Sequence, residues 1–180
     1  MPTSACGHIR GLFKGFRELL EAGLIPRLPR MIVVQAANNS PIVSAIKQGV
    51  KHVSPFSNFH TIAEAITTGN PMGGDEIIAK AYEHDWLAED ASEAEILEAQ
   101  RVLALAGWFV EPAAATTLYA VKKLRAAGRI AAGESVVLML TGAGLKDLDA
   151  LKHQPFNVIE SNLDSVRRDL EQALRAQLQS

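Results

Sequence analysis

Residues 138–147 run from the apolar triplet Leu138-Met139-Leu140 straight into Thr141-Gly142-Ala143-Gly144, a Gly-x-Gly turn carrying one hydroxyl, and on to Leu145-Lys146-Asp147. A short unbroken apolar run without polar alternation fits a strand covered on both faces, the usual condition of parallel sheets under helices. A second such run, Met31-Ile32-Val33-Val34, follows the chain breaks at Pro26 and Pro29 and reads the same way. In sheets of this kind ligands gather beyond the carboxyl ends of the strands. The turn after Leu140 is therefore a candidate binding site.

The remaining segments read mainly as helices. Residues 9–20 place Leu12, Phe13, Phe16, Leu19 and Leu20 on one stripe, and Gly23 offers a stop. Residues 41–48 predict a short helix, 49–59 an irregular stretch, 61–67 a helical turn or two, and 75–83 another helix. The acidic run 83–95 reads as a solvated loop and helix start. Ser92-Glu93-Ala94-Glu95 has the form of a capping box, opening a helix with Ile96, Ala99, Leu103 and Ala106 on one face and a stop at Gly107. Pro112 suits a first helical turn, and that helix runs to about residue 127 before Gly128. Residues 135–140 predict the second buried strand, and Leu163, Val166, Leu170 and Leu174 mark a last amphipathic helix. The fold class is α/β, a mainly parallel sheet with helices on both faces. With no repeat, low-complexity tract or linker, residues 1–180 form a single domain. The loop at Ser4 to His8 should follow a strand, yet only Met1-Pro2-Thr3 precede it, so the domain reads as partial, entered midway.

Composition narrows the function classes. A formal charge of −2 with scattered Lys and Arg gives no footprint for nucleic acid. No stretch approaches the roughly 20 apolar residues that span a bilayer. The lone Cys6 excludes an internal disulfide and fits a reducing cytoplasm. At a helix N-terminus its thiol pKa could be lowered, though no partner base is identifiable. His8, His52, His60, His84 and His153 are dispersed, without metal-ligand spacing, so no metal is expected. There is no Walker loop and no dinucleotide fingerprint.

Five blocks in order carry a resemblance. They are Lys14-Gly15-Phe16 with Ala22-Gly23-Leu24-Ile25 and Leu28-Pro29-Arg30-Met31; Thr61-Ile62-Ala63-Glu64-Ala65-Ile66 with Gly69-Asn70-Pro71; residues 92–100; Phe109 to Ala115 around Glu111-Pro112; and Leu140 to Asp147. Together they resemble the C-terminal half of threonine synthases, pyridoxal phosphate (PLP) enzymes of fold type II. The resemblance covers residues 1–149 and leaves 150–180 as a C-terminal strand and helix extension. It implies the large C-terminal domain of that fold, incomplete here. It also implies conversion of O-phosphohomoserine and water into threonine and phosphate, with PLP as the electron sink.

What the resemblance implies for the site is specific. Thr141 would hydrogen-bond the pyridine nitrogen, a neutral donor that leaves the ring unprotonated; its other reading is a simple strand-end cap. Glu111 would lie near the cofactor ring, or it complements a helix dipole. The family's Gly-Asn-Ala-Gly-Asn phosphate loop stands here as Ser4-Ala5-Cys6-Gly7-His8. Gly7 persists, both asparagines are replaced by Ala5 and His8, and Ser4 at the first glycine is expected to strain a glycine-only conformation. A neutral helix-entry loop is the alternative. None of the chain's lysines, Lys146 included, stands in the family's Schiff-base context, so the catalytic lysine is expected in an N-terminal half acting in cis or trans. The other partner expected is a phosphorylated amino-acid substrate; a homodimer is compatible, and neither nucleic acid nor membrane is expected. Two alternatives stand beside the lyase: a non-catalytic remnant or binding module, and half of a cysteate synthase or dehydratase type enzyme.

Overall fold

Strand residues alternate between faces, so two neighbouring apolar residues need cover on two sides. In β1 (Ile32–Ala36), Val33 joins the cluster that holds Ile42 and Val43 of helix α2 (Pro41–Gln48). Ile32 packs the other way, with Leu124 of α5 (Pro112–Ala126), and Ala36 meets Ala113 of the same helix. The sheet is thus covered on both faces. The computed structural model describes residues 1–57, 60–154 and 159–177.

β1 pairs in parallel with β2 (Leu87–Ala91), in a register that sets Ile32 opposite Leu87 and Ala36 opposite Ala91. On its other edge β1 takes a short parallel partner: Val34 N–H donates to the Met1 carbonyl at 3.0 Å and Thr3 N–H to the Val34 carbonyl at 2.8 Å. Helices α1 (Gly7–Glu21) and α3 (Gly74–Glu83) add to the α2 side. Ile9, Phe13, Ile77 and Ile78 are buried there, each worth about 1.5–3 kcal/mol relative to exposure. Of the expected α1 stripe, Leu12 and Phe16 pack against this core, while Leu19 is exposed.

Helix α4 (Glu93–Leu105) opens on the expected capping box: Glu95 N–H donates to Ser92 Oγ, and Ser92 N–H donates to Glu95 Oε2 at 2.8 Å. α2 is capped from the sheet instead. The buried Gln35 of β1 accepts from the Ile42 and Val43 amides at 2.9 and 3.0 Å and donates to the Thr3 carbonyl at 3.2 Å. The turn expected over 61–67 is the 3-10 segment Glu64–Ile66.

Two expectations fail. The acidic run 83–95 contains β2, because Glu89 and Asp90 need not be solvated alone: Lys47 pairs with both, at 2.5 and 3.0 Å. Residues 135–140 form no strand and no ladder pairing, with Val137 81% exposed and Leu138, Met139 and Leu140 half-buried, so they are no buried strand here. An apolar run marks the potential for two-sided burial; pairing needs a neighbouring strand, which the described residues do not supply. In the extension 150–180, the described residues form the 3-10 segment Asp149–His153 and helix α6 (Val166–Gln177), with no strand. Residues 155–158 and 178–180 of that extension, and 58–59 of the expected irregular stretch, lie outside the described residues.

Candidate functional site

The Thr141 turn is tied to the start of α5 by two backbone hydrogen bonds. Glu111 N–H donates to the Gly142 carbonyl and Gly144 N–H to the Phe109 carbonyl, both at 3.0 Å, which together make Val110 and Ala143 an antiparallel bridge. The two glycines are required by these approaches. A β-carbon on Gly142 would overlap the Glu111 carboxylate, and one on Gly144 would lie 2.5 Å from the Phe109 ring.

Gln100, buried on α4, holds this arrangement from beneath. Its Nε2 donates to the Val110 carbonyl at 2.9 Å, and its Oε1 accepts from Gln154 Nε2 at 3.3 Å. Sequence reasoning missed it. The signal was a polar residue beside Ala99 on the otherwise apolar buried face of α4.

Thr141 is exposed, and its hydroxyl has no hydrogen-bond partner among the described residues. It does not act as a strand-end cap. Glu111 occupies the N-cap position of α5 without making a side-chain cap bond, and it is 6% exposed. Its carboxylate instead lies over Gly142, next in sequence to Thr141, with no hydrogen-bond or ion-pair partner among the described residues. Dipole complementation and a ligand-facing role are both open to that geometry.

The Ser4 to His8 loop enters α1 directly. Ala5, Gly7 and His8 are exposed, Ser4 is half-buried and Cys6 is buried. Cys6, not Ser4, takes the left-handed conformation, at φ 72° and ψ −1°. The expected strain at Ser4 is therefore absent. Its hydroxyl has been recruited instead, 2.5 Å from the Thr68 hydroxyl. Gly73 backs the loop, where a β-carbon would come within 2.9 Å of the Cys6 Cβ. A lowered thiol pKa at Cys6 is also overturned. Burial pushes it up to about 11, with Arg10 pulling it down and Glu76 pushing it up.

The first helical bond of α1 runs from Arg10 N–H to the Cys6 carbonyl at 3.1 Å. The amide N–H groups of residues 4–9 have no protein acceptor among the described residues. Consecutive amides without protein acceptors, beside a left-handed residue at a helix N-terminus, are donors of the kind that suit an anion. A β-carbon on Gly7 would meet nothing within 4 Å, so the mouth of this set is open. Met139, two residues before Thr141, packs against the core cluster of which Cys6 is one buried member.

Other candidates fall away. A groove of about 550 Å³ runs along α1 past Arg10, Lys14, Arg17 and Lys80. Its charges are neutralised by Glu76, Glu18 and Glu21. Among the described residues no three His, Cys, Asp or Glu side chains converge as metal ligands. No described helix is long and apolar enough to cross a membrane.

Residues 1–142 match the family model described as pyridoxal-phosphate dependent enzyme. The chain is 38% identical over 176 residues to the threonine synthase of Methanocaldococcus jannaschii, covering 96% of this chain and 43% of that protein. It is 37% identical over 172 residues to the threonine synthase of Methanosarcina acetivorans, covering 93% and 42%. Thus it spans less than half the length of these relatives. Among solved structures, an L-serine ammonia-lyase from the fungus Rhizomucor miehei superposes with a TM-score of 0.63 at 20% identity, covering 85% of this chain and 48% of that one. Threonine synthase from Escherichia coli gives 0.59 at 17% identity, covering 93% and 37%. At those identities the likeness carries the fold alone.

Proposed function

The chain belongs to the pyridoxal-phosphate dependent enzymes, and from that premise we propose that it is the cofactor-cradling part of a threonine synthase-type lyase. The reaction is water addition and phosphate loss on O-phosphohomoserine, completed by an N-terminal part that brings the anchoring lysine. The observation that carries this reading is the run of free amides at residues 4–9 around the left-handed Cys6.

The residues present fit the cofactor. The amides of Ala5, Cys6, Gly7 and His8 would hold the phosphate, with the α1 dipole favouring its charge. The exposed His8 stands at one end of the loop as a further donor, and Ser4 at the other end can donate when it accepts from Thr68. The Thr141 hydroxyl, free of protein partners, would donate to the pyridine nitrogen and leave the ring unprotonated. When bound, PLP supplies an electron sink for the substrate carbons. The role of Glu111 is electrostatic. Its carboxylate over Gly142 bounds the ring side of the turn with a negative charge.

A second reading has its own observation. Ala5 and His8 replace two amide side chains of the family loop, so a backbone-only cradle would bind anions in a module that performs no turnover. Both readings have the chain alone inactive.

The test combines this chain with the part of the Methanocaldococcus jannaschii threonine synthase that it does not match, and follows phosphate release from O-phosphohomoserine. The lyase reading expects release that needs both parts and falls at least tenfold in T141V. Phosphate binding without release in the combined sample supports the binding module and contradicts the lyase.

A further inference from the structure

Ser4 and Thr68 bring two hydroxyl protons to one hydrogen bond. Their oxygens lie 2.5 Å apart, both residues are half-buried, and neither hydroxyl has another protein partner among the described residues. Each hydroxyl carries a single proton. One proton fills the contact, and the other has no protein acceptor, whichever residue donates. The pair is therefore a net donor, like the amides of residues 4–9 beside it.

Thr68 is fixed independently of the Ser4 to His8 loop. It follows the 3-10 segment Glu64–Ile66. Ahead of it the buried Asn39 donates from Nδ2 to the Ile66 carbonyl at 3.3 Å, and beyond it Phe56 N–H donates to the Gly69 carbonyl at 2.9 Å. The backbone around Ser4 is bracketed as well. Thr3 N–H donates to the Val34 carbonyl, and the Thr3 carbonyl accepts from Gln35 Nε2 at 3.2 Å. Cys6 Sγ donates to the Ser4 carbonyl at 3.5 Å. What Thr68 controls is thus the Ser4 hydroxyl, not the path of the loop.

We propose that Thr68 is a positioning residue for phosphate binding: its hydroxyl donates to Ser4 Oγ and leaves the Ser4 proton for a phosphate oxygen at the loop. Ser4 is the member of the pair that serves, because it opens the run of amides without protein acceptors, whereas Thr68 stands outside that run. A hydroxyl that accepts a hydrogen bond is the stronger donor for it, and donation to an ionised oxygen is about twice as strong as to a neutral one. A glycine at position 4 would present no hydroxyl for Thr68 to hold. This inference rests on the phosphate cradle of the proposed function and adds to it a side-chain donor set from a distant segment.

Inorganic phosphate titrated into the full chain, followed by amide NMR, tests the cradle and Thr68 separately. T68V keeps the side-chain shape and should weaken phosphate binding about three- to tenfold, the effect of one lost hydrogen bond to a charged group. T68S should bind within about twofold of the wild type, because the hydroxyl is restored. S4A should weaken binding as T68V does, and S4A/T68V should bind no more weakly than S4A, since Thr68 acts only through Ser4. In the free T68V chain the amide resonances of Cys6, Gly7 and His8 should stay at their wild-type positions. Displaced resonances there would make Thr68 a tether of the loop and overturn the proposal. Wild-type affinity in T68V, with shifts still at residues 5–8, overturns the role of Thr68 and leaves the cradle standing. No phosphate shifts at residues 5–8 in the wild type overturn both.

Discussion

Gln100 reaches from the buried side of α4 to the carbonyl of Val110, with Nε2 and oxygen 2.9 Å apart. That single amide joins the helix core to the segment on which the Thr141 turn rests, because Val110 bridges Ala143 and Glu111 bonds Gly142. Q100L would keep the volume and leave the carbonyl buried without its donor. We expect a loss of about 1–3 kcal/mol in urea unfolding. Q154A, on the solvent side of the relay, should cost less.

Gly142 is held to glycine by the Glu111 carboxylate. G142A should therefore destabilise by about 1–3 kcal/mol through overpacking. Coupling identifies the cause: in the G142A/E111A double variant the cost of the alanine should largely vanish. Additive costs in urea titrations would contradict the assigned clash.

Cys6 should be a poor nucleophile despite its position at the start of α1. With a thiol pKa of about 11, about one molecule in a thousand carries the thiolate at pH 8. Alkylation by iodoacetamide should climb with pH without levelling off before pH 10. The stability consequence follows from a folded pKa above the unfolded one near 9. Burial of the neutral thiol contributes fully below pH 9, and that contribution is lost as pH rises towards 11. C6A should abolish this alkaline loss in urea midpoints.

Glu95 gives the opposite pH dependence. Burial works to raise its carboxyl pKa, but hydrogen bonds from the Ser92 backbone, Lys123 and Ser92 Oγ outweigh it and hold the group below the ordinary carboxylate range. A lowered folded pKa means stability that is present above the unfolded value near 4.5 and is lost as pH falls through the folded one. E95Q should flatten the acid limb of a stability–pH curve, and an unchanged limb would remove Glu95 from the account.

Much of this architecture was legible from local signals. The Ser92 capping box, the Pro112 helix start and the Met31 to Val34 strand depend on neighbours within a few residues, and each formed as expected. β2 was not legible, because Glu89 and Asp90 interrupt the pattern and the Lys47 that neutralises them lies 42 and 43 residues away. The run 135–140 misled in the other direction: apolar character shows what a segment can bury, not that a neighbour is present. At the site, Gly7 and the Gly142 to Gly144 turn were visible as motifs. Glycine chemistry points to Ser4 as the strained position, whereas the left-handed residue is Cys6, beside Gly73. Gln100 and Thr68 act through contacts to distant segments, which spacing does not encode.

The most direct test of the central claim is amide NMR of the full chain titrated with pyridoxal phosphate. The account predicts shifts concentrated at the amides of Ala5, Cys6, Gly7, His8 and Ile9, with a second set at Thr141 and Gly142 that T141V reduces. Inorganic phosphate should reproduce the first set alone. Shifts confined to lysine-rich surface segments, or none at residues 4–9 at millimolar ligand, would contradict the cradle and with it the proposed function.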